Sequence, residues 1–315
     1  MTSQSDRVRA AAGGHAKGYV LVGVDGSPAS LAALDTAATE AAGRAVPLMI
    51  VVAQRRHGRS RTGSRPSGPS AVLEPATRTL LDDSVRRVHA LAPNVEVRPD
   101  VVEEEPGAAL VERSAGASLM VLGRAGHGVS GLVGTGLGSV ASYVANHAHC
   151  PVLVHRGADA DHPVTGGLGH RPVVVGVDGS PAAAPTLALA LAEAALRGAT
   201  LEVTYVWTHP PGSQPAGLHP ATYSYAEARS EAERMLSEQV AGAAEAYPQL
   251  RIRPVATHSL DVARTLIDRS REAQLIVVGS RGRGGLTRLL LGSVSQALIN
   301  QAFCPVLVVR PASRT

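Results

Sequence analysis

The nonapeptide VGVDGSPAS at residues 22–30 returns almost unchanged as VGVDGSPAA at residues 175–183, an offset of 153 residues in a chain of 315. The end of each half repeats as well: GSV at 138–140 and CPVLV at 150–154 return at 292–294 and 304–308, an offset of 154 residues. Because the offset changes by one residue over the length of a whole half, the chain contains two copies of one domain, not an array of short repeats.

Composition restricts the class of fold. Apolar residues make up 44% of the chain but aromatic residues only 3%, so the cores must consist of Val, Leu, Ile and Ala. Such cores favour parallel strands between helical layers over an aromatic-rich β-sandwich. The net charge of +4 is mild, and the only lysine, Lys17, precedes the first predicted strand. Neither half can therefore carry the lysine of a Walker-type phosphate loop.

Short β-branched runs alternate with amphipathic segments in both halves. The predicted strands are 19–24, 48–53, 95–101, 119–122 and 152–155, then 173–177, 201–206, 251–256, 275–278 and 306–309. The predicted helices are 30–44, 73–91, 108–115 and 139–147, then 183–197, 224–247, 261–273 and 293–301. Continuous apolar strands such as LIVV at 275–278 must be covered on both faces. The sequence therefore predicts two doubly wound α/β domains, each with a five-stranded parallel sheet flanked by helices.

Composition also predicts the boundaries of the two domains, at 18–156 and 171–311. Residues 1–17 are polar and small, which predicts a disordered tail without the apolar run of a signal peptide. Residues 157–170 are interpreted as the linker. The segment 55–70 holds five arginines and is interpreted as a mobile solvated loop, with an anion or nucleic-acid contact as the alternative. Its counterpart in the second copy has no arginine, so nucleic acid is not expected as a partner.

The two cysteines, Cys150 and Cys304, occupy equivalent positions in the two copies. One thiol per domain is not a disulfide framework, which favours a reducing, cytoplasmic compartment. The pair His147 and His149 beside Cys150 is not repeated in the second copy, so no metal site is predicted there. No run of about 18 apolar residues occurs, so no membrane span is predicted.

An acidic residue follows the first strand of each copy. Asp25 and Asp178 are both followed by Gly-Ser-Pro, at the sheet edge where ligands of doubly wound domains bind. Two interpretations remain open. The carboxylate contacts a ligand, or the segment is a turn in which Asp or Ser caps the next helix.

A glycine-rich loop follows the fourth strand of each copy. In the second copy it begins as GSRGRGG at 279–285 and ends at Gly292-Ser293, where a helix is predicted to begin. Glycines permit positive φ and leave backbone N–H groups accessible, and a helix N-terminus favours an anion. The recurrence of this loop beside an equivalent Asp predicts one phosphate-binding site per copy.

These motifs resemble those of tandem universal stress proteins of the ATP-binding, actinobacterial type, over both halves end to end. The pattern of that family is Gly, two residues, Gly, nine residues, Gly and then Ser or Thr. Residues Gly279, Gly282 and Gly292-Ser293 fit it without adjustment. The resemblance implies a fold of the nucleotide-binding α-hydrolase type and ATP, with or without Mg2+, as the ligand.

The resemblance also implies roles for individual residues. Asp178 would contact the ribose or phosphate region, Val206 would line the adenine pocket, and the loop with Ser293 would hold the phosphates. The nucleotide contacts expected in the second half are Gly176, Asp178, Val206, Val278, Gly279, Arg281, Gly282, Arg283, Gly284, Gly292, Ser293 and Val294. Those expected in the first half are Gly23, Asp25, Val52, Gly123, Arg124, Gly126, His127, Gly128, Gly138, Ser139 and Val140.

The loop of the first copy departs from the pattern. Gly123 and Gly126 are followed by eleven residues before Gly138, and the alternative alignment on Gly128 places Ala125 where the first glycine belongs. A longer, more glycine-rich loop loses more conformational entropy when it closes on a phosphate. The second site is therefore expected to bind more tightly.

The resemblance also implies that the halves pack about a pseudo-twofold axis through their fifth strands, and a homodimer is left open. Antiparallel fifth strands would place Cys150 and Cys304 too far apart for a disulfide, which requires Cα atoms within about 7 Å. The expected function is ATP-dependent stress or growth regulation by site occupancy, through an unknown protein partner. The alternatives are a slow ATP hydrolase, a nucleotidyl-transfer enzyme and a nucleotide-free scaffold. No catalytic residue is assigned, because the sequence shows no evident general base, lysine clamp or paired-carboxylate metal site.

Overall fold

The computed structural model describes residues 18–54, 73–124, 137–155, 171–207, 225–282 and 291–310. The predicted tail 1–17, the arginine-rich segment 55–70 and the linker 157–170 lie outside the described residues.

Each half alternates strands and helices as predicted. The first half contains β1 (Tyr19–Gly23), α1 (Pro28–Arg44), β2 (Leu48–Ala53), α2 (Pro75–Leu91), β3 (Val97–Val102), α3 (Pro106–Ser114), β4 (Ala117–Gly123), α4 (Ser139–His147) and β5 (Val152–His155). The second half contains β6 (Val173–Val177), a 3-10 turn (Pro181–Ala183), α5 (Ala184–Arg197), β7 (Leu201–Trp207), α6 (Tyr225–Ala246), β8 (Ile252–His258), α7 (Val262–Arg269), β9 (Leu275–Gly279), α8 (Ser293–Gln301) and β10 (Val306–Val309).

The ten strands form one continuous sheet. Their order is β3-β2-β1-β4-β5-β10-β9-β6-β7-β8, and the neighbours are parallel within each half. The fifth strands pair antiparallel, with Leu153 opposite Leu307. The predicted doubly wound halves and their pairing through the fifth strands are therefore confirmed.

Both faces of the sheet are buried by helices packed through small side chains. In α1, Ala33, Ala37 and Ala41 are fully buried, which lets that helix lie close to the strands. The central strands are buried along their length: β7 has no exposed residue, and Leu275 to Val278 are all buried. The low aromatic content thus corresponds to an aliphatic, alanine-lined core.

The antiparallel pairing also separates the two thiols. Cys150 and Cys304 precede β5 and β10, which run in opposite directions, and both are free and buried. The prediction that they form no disulfide is confirmed. Burial raises the pKa of Cys150 to about 12, so this thiol stays protonated and unreactive near neutral pH.

A ring of four charged side chains joins α1 to α5 across the boundary between the halves. Arg44 contacts both Glu40 and Glu193, and Arg197 contacts the same two carboxylates. Glu40 is 5% exposed and Glu193 is 2% exposed. Burial alone would raise the pKa of Glu193, but the two guanidinium groups hold it below its ordinary value. We call these four residues the interface ring.

The interface ring belongs equally to both halves. Each helix supplies one Glu and one Arg four residues apart, and each Arg bridges its own Glu and the Glu of the other half. Beside the ring, a methyl group built on Gly43 would lie 3.1 Å from Leu196 Cδ1, so the two helices pack closely here. The pairing of the halves thus rests on a helix contact as well as on the fifth strands.

Candidate functional site

The strand order creates one crevice in each half. β1 and β4 are neighbours whose chain continues to opposite sides of the sheet, and β6 and β9 repeat this arrangement. Ligands of open α/β sheets bind at such switch points, beyond the carboxyl ends of the strands. Asp25 and Gly123 lie at that edge in the first half, and Asp178 and Gly279 in the second.

The segment after β1 and β6 is a turn built by the aspartate. Asp25 Oδ1 accepts a hydrogen bond from Ser27 N at 2.9 Å, and Asp178 Oδ1 accepts from Ser180 N at 3.0 Å and Ser180 Oγ at 2.7 Å. The intervening glycines, Gly26 and Gly179, have φ of 83° and 75°. Left-handed backbone of this kind explains why glycine follows both aspartates.

Serine, not aspartate, caps the first helix of the first half. Ser27 Oγ accepts from Ser30 N at 3.2 Å, whereas the N-cap residue of α5, Ala183, makes no side-chain cap. One aspartate oxygen thus forms the turn. The other oxygen in the second half, Asp178 Oδ2, faces the glycine loop: a methyl group built on Gly282 would lie 3.6 Å from it.

Both glycine loops are fixed at their ends by the same hydrogen bonds. In the second half Ser280 N donates to Val309 O at 2.7 Å, and Gly292 N donates to Ser280 O at 2.8 Å. In the first half Arg124 N donates to His155 O at 3.1 Å, and Gly138 N donates to Arg124 O at 2.7 Å. The end of the fourth strand is thereby held beside the start of the fourth helix.

The loops lead into helix N-termini that have no side-chain cap. The N-cap residues of α4 and α8 are Gly138 and Gly292, with φ of −60° and −63°, and neither helix has a side-chain cap hydrogen bond. Ser139 and Ser293, the first residues of the two helices, are exposed. Uncapped N–H groups together with the helix dipole favour an anion at this position.

The positive φ expected of the loop glycines is not found at Gly279, Gly282 or Gly292; within the described ranges, only Gly18, Gly26, Gly179 and Gly198 among the glycines adopt it. Gly279 is required by close packing instead, since a methyl group there would lie 3.1 Å from Arg281 O. Among the described residues, methyl groups on Gly282 and Gly292 would meet no atom nearer than 3.6 Å. Each of these positions therefore has room for a methyl group in ordinary contact with those residues.

The remaining predicted residues divide by environment. Gly23 and Gly176 pack against Leu110 and Leu266, whose Cδ1 atoms lie 3.0 Å from a methyl group built on each glycine. Val52, Val206 and Val278 are buried near the carboxyl ends of their strands, and Val140 and Val294 are half-buried in the first turns of α4 and α8. Gly126, His127, Gly128, Arg283 and Gly284 lie outside the described residues.

The two predicted arginines are placed differently. Arg281 is exposed beside the loop. The pKa of Arg310 is lowered first by the burial of Arg310 itself and second by the nearby positive charge of Arg281. Arg124 crosses to the other half, where its Nη1 donates to Asn300 O at 2.9 Å. Arg281 is therefore an exposed cation at the second candidate site, whereas Arg124 of the first site is half-buried and bonded to the other half.

An aromatic cluster lies beside the second candidate site, and the described residues of the first half show no counterpart of it. The ring of Trp207, at the end of β7, lies 4.5 Å from that of His258 and 5.7 Å from that of Tyr225. At the equivalent place in the first half, Gln54 Oε1 accepts from Glu74 N at 3.1 Å. This cluster was not predicted from the sequence, although Trp207 is the only tryptophan.

Contacts that cross between the halves at these loops were not predicted from the sequence either. Asn146 and Asn300, at equivalent positions near the ends of α4 and α8, take part in them together with Arg310. The sequence does contain a signal for these contacts, because Asn146 and Asn300 are separated by the same 154 residues as Cys150 and Cys304.

In the part of the chain that the structure describes, no helix is long and apolar enough to cross a membrane. The same residues contain no group of three or more His, Cys, Asp or Glu side chains placed to hold a metal ion.

Fold and site together define a tandem doubly wound α/β protein with one candidate anion site per copy. Comparison with known proteins gives the family, because the profile of the universal stress protein family matches residues 19–156 and 169–310. The chain belongs to the universal stress protein family.

Two curated relatives come from Mycobacterium tuberculosis strain H37Rv. Universal stress protein Rv2623 is 38% identical over 302 residues, covering 92% of this chain and 96% of the relative. Universal stress protein Rv2005c is 37% identical over 295 residues, with the same two shares of coverage. A solved universal stress protein from Archaeoglobus fulgidus DSM 4304 has a TM-score of 0.64 at 18% identity, over 95% of this chain and 98% of that one. That likeness confirms the fold.

Proposed function

We propose that each half binds one adenine nucleotide, ATP in the first instance, and that occupancy of the two sites, not turnover, is the output. The observation that carries the proposal is the arrangement in the second half. The carboxylate of Asp178 faces Gly282, and the uncapped N-terminus of α8 begins at the same loop. Membership of the universal stress protein family supports a role in stress or growth regulation, which we place in the cytoplasm.

The residues suggest how the nucleotide would lie. Phosphates would be held by the N–H groups of Ser293 and Val294 and by Ser293 Oγ, where the helix dipole favours negative charge. An ionised carboxylate accepts hydrogen bonds and repels phosphate, so Asp178 fits a ribose hydroxyl better. Adenine would contact Val206, and the absence of side chains at Gly282 and Gly292 would let the phosphate chain approach the backbone.

The donor set fits an anion better than a bare metal ion. A Mg2+ ion usually binds through one or two carboxylates together with substrate phosphates and water. The described residues contain no group of three or more His, Cys, Asp or Glu side chains placed to hold a metal ion, so Mg2+ would arrive with the phosphates. The remaining predicted contacts, including Arg283, Gly284 and the first-half loop, belong to the same proposal.

Nucleotide identity and stoichiometry test the proposal directly. Protein purified without added nucleotide would be denatured, and the released small molecules identified by mass spectrometry. Nucleotide-free protein would then be titrated calorimetrically with ATP, ADP, AMP and GTP, with and without Mg2+. We expect adenine selectivity, up to two ATP per chain, and bound ATP recovered intact after hours. ADP in its place would favour a hydrolase, and the absence of any binding would favour a scaffold.

A further inference from the structure

The second candidate site receives a hydrogen bond from the first half of the chain. Asn146, in the last turn of α4, accepts the N–H of Leu291 through its Oδ1 at 3.0 Å. Its Nδ2 donates to Ser142 O at 2.8 Å, so both ends of the amide are engaged. Leu291 is the residue immediately before Gly292 and Ser293, where α8 begins. A side chain of one half thus fixes the backbone at the anion site of the other.

Arg310 holds the end of α4 from which Asn146 projects. Its guanidinium donates to Ala148 O at 3.1 Å and Ala145 O at 3.0 Å, and also to Asn146 O. A cation at a helix C-terminus satisfies carbonyl groups that have no partner within the helix. Arg310 follows β10 and so belongs to the second half. The second half therefore holds Asn146 of the first half in place, and Asn146 in turn contacts the loop of the second half.

The reverse contact is different. Arg124 of the first loop donates to the backbone carbonyl of Asn300 at the end of α8. Within the described residues, Asn300 contacts the first loop through its backbone carbonyl, whereas Asn146 contacts the second loop through its side chain. The two asparagines occupy equivalent positions, yet only Asn146 is seen to hold the residue before the N-cap glycine.

We propose that Asn146 is a positioning residue for the second nucleotide site, which is therefore completed by the first half. The proposal rests on the proposed function and adds to it. The bond holds the Leu291 peptide in place, so that the following N–H groups of Ser293 and Val294 are aligned before a phosphate arrives. Groups fixed in advance lose less entropy on binding, which raises affinity without any direct contact.

The test uses the full chain with one site disabled at a time. Asn146→Ala and its matched control Asn300→Ala would each be combined with Asp25→Ala, which leaves the second site, or with Asp178→Ala, which leaves the first. Each protein would be titrated calorimetrically with ATP and with adenosine. Losing one neutral hydrogen bond to the loop corresponds to a fall in ATP affinity of about fivefold.

We expect Asn146→Ala to weaken ATP at the second site and to leave the first site unchanged, although α4 begins at the first site. Adenosine, which has no phosphate, should bind as before, and Asn300→Ala should bind ATP like the parent at both sites. Unchanged ATP affinity, or equal loss at both sites, would overturn the inference. If Asn146→Ala does not fold, ATP affinity at the second site would be compared in Asn146→Leu and Asn146→Gln. We expect Asn146→Gln, which keeps the amide, to retain part of the parent affinity and Asn146→Leu to retain less. A parent protein that binds no ATP would refute the proposed function instead.

Discussion

The two halves share one backbone plan, but their candidate sites are not equivalent. In both, an Asp-Gly-Ser turn and a helix N-terminus flank the switch point of the sheet. Around the second site lie an exposed arginine, an aromatic cluster and a loop held by Asn146. Around the first, Arg124 is used in the contact with the other half. Repetition therefore preserves the turn and helix geometry, while loops and strand ends carry the differences.

The largest expected effect tests a feature in which the halves are equal. Glu193→Gln leaves two half-buried guanidinium groups without one of their carboxylates, and the carboxylate itself is buried, so the change costs about 3–5 kcal/mol of unfolding free energy. Glu40→Gln should cost the same, because each Glu contacts both arginines. Urea denaturation measures both variants. Glu231→Gln, at an exposed pair, is the control and should leave the midpoint unchanged. Clearly unequal losses would show that the interface ring is not shared equally.

The same variant predicts a pH dependence. The pKa of Glu193 is lowered in the folded chain, so its contribution is present above the ordinary Glu pKa of about 4.3 and is lost as pH falls through the folded value. The stability difference between the parent and Glu193→Gln should therefore be constant from pH 7 to about 5 and shrink at lower pH. A difference that grew on acidification would contradict the ion-pair assignment.

Glycine substitutions test the loop glycines of the second site. Gly282→Ala or Gly292→Ala should lower ATP affinity about fivefold or more, because forcing a methyl group against a bound ligand costs about 1–3 kcal/mol. Neither should unfold the chain, since among the described residues each added methyl group meets no atom nearer than 3.6 Å. Gly242→Ala, in exposed helix, is the matched control and should bind like the parent. Parental ATP affinity in a folded Gly282→Ala protein would remove this loop from the site.

A smaller effect ranks the two sites. Asp178→Asn and Asp25→Asn keep a side-chain oxygen that can accept the turn hydrogen bond but remove the charge, so affinity at that site should fall while thermal stability is unchanged. The Asp25→Asn protein keeps the second site intact and should bind ATP about threefold to tenfold more tightly than the Asp178→Asn protein. The reason is that the longer first loop loses more conformational entropy on binding, up to about 1–2 kcal/mol for each extra residue fixed. If Asp178→Asn is the tighter binder, loop length and charge do not rank the sites. If only the melting temperature falls, the aspartate serves the turn alone.

The smallest expected effect is spectroscopic. Trp207 is 4% exposed and is the only tryptophan, so its emission reports the aromatic cluster beside the second site alone. ATP should change that emission by a modest amount in Asp25→Asn and by less in Asp178→Asn. A signal that survives unchanged in Asp178→Asn would show that the cluster responds to the first site, against the separation of the two.

Periodicity and turn chemistry predicted most of the fold because they are local. Strands β2, β5, β6 and β10 begin and end where predicted. Helix α7 ends at Arg269 and not at Ala273, because the Ser270 side chain donates to Ile267 O and accepts from Phe303 N, in the segment between α8 and β10. Such a contact depends on a distant segment, which a local pattern does not contain.

The candidate site was predicted by residue type but not by conformation. The loop glycines were expected at positive φ, whereas that conformation occurs at Gly26 and Gly179 in the aspartate turn. The interface ring was missed, although EAAGR at 40–44 and EAALR at 193–197 repeat its charges. Which helices meet across the pseudo-twofold is decided by the pairing of β5 with β10, and only the structure shows that α1 and α5 are the pair.

The covalent link between the halves has a consequence for evolution as well as for stability. Two separate subunits paired through the same strands would dissociate on dilution, and every mutation would appear in both. In one chain the partner is always present at an effective concentration of about millimolar or more, so the sheet stays continuous at any protein level. Each copy can then vary alone. One site can be tuned toward tight binding while the other specialises as a support, with no loss of pairing.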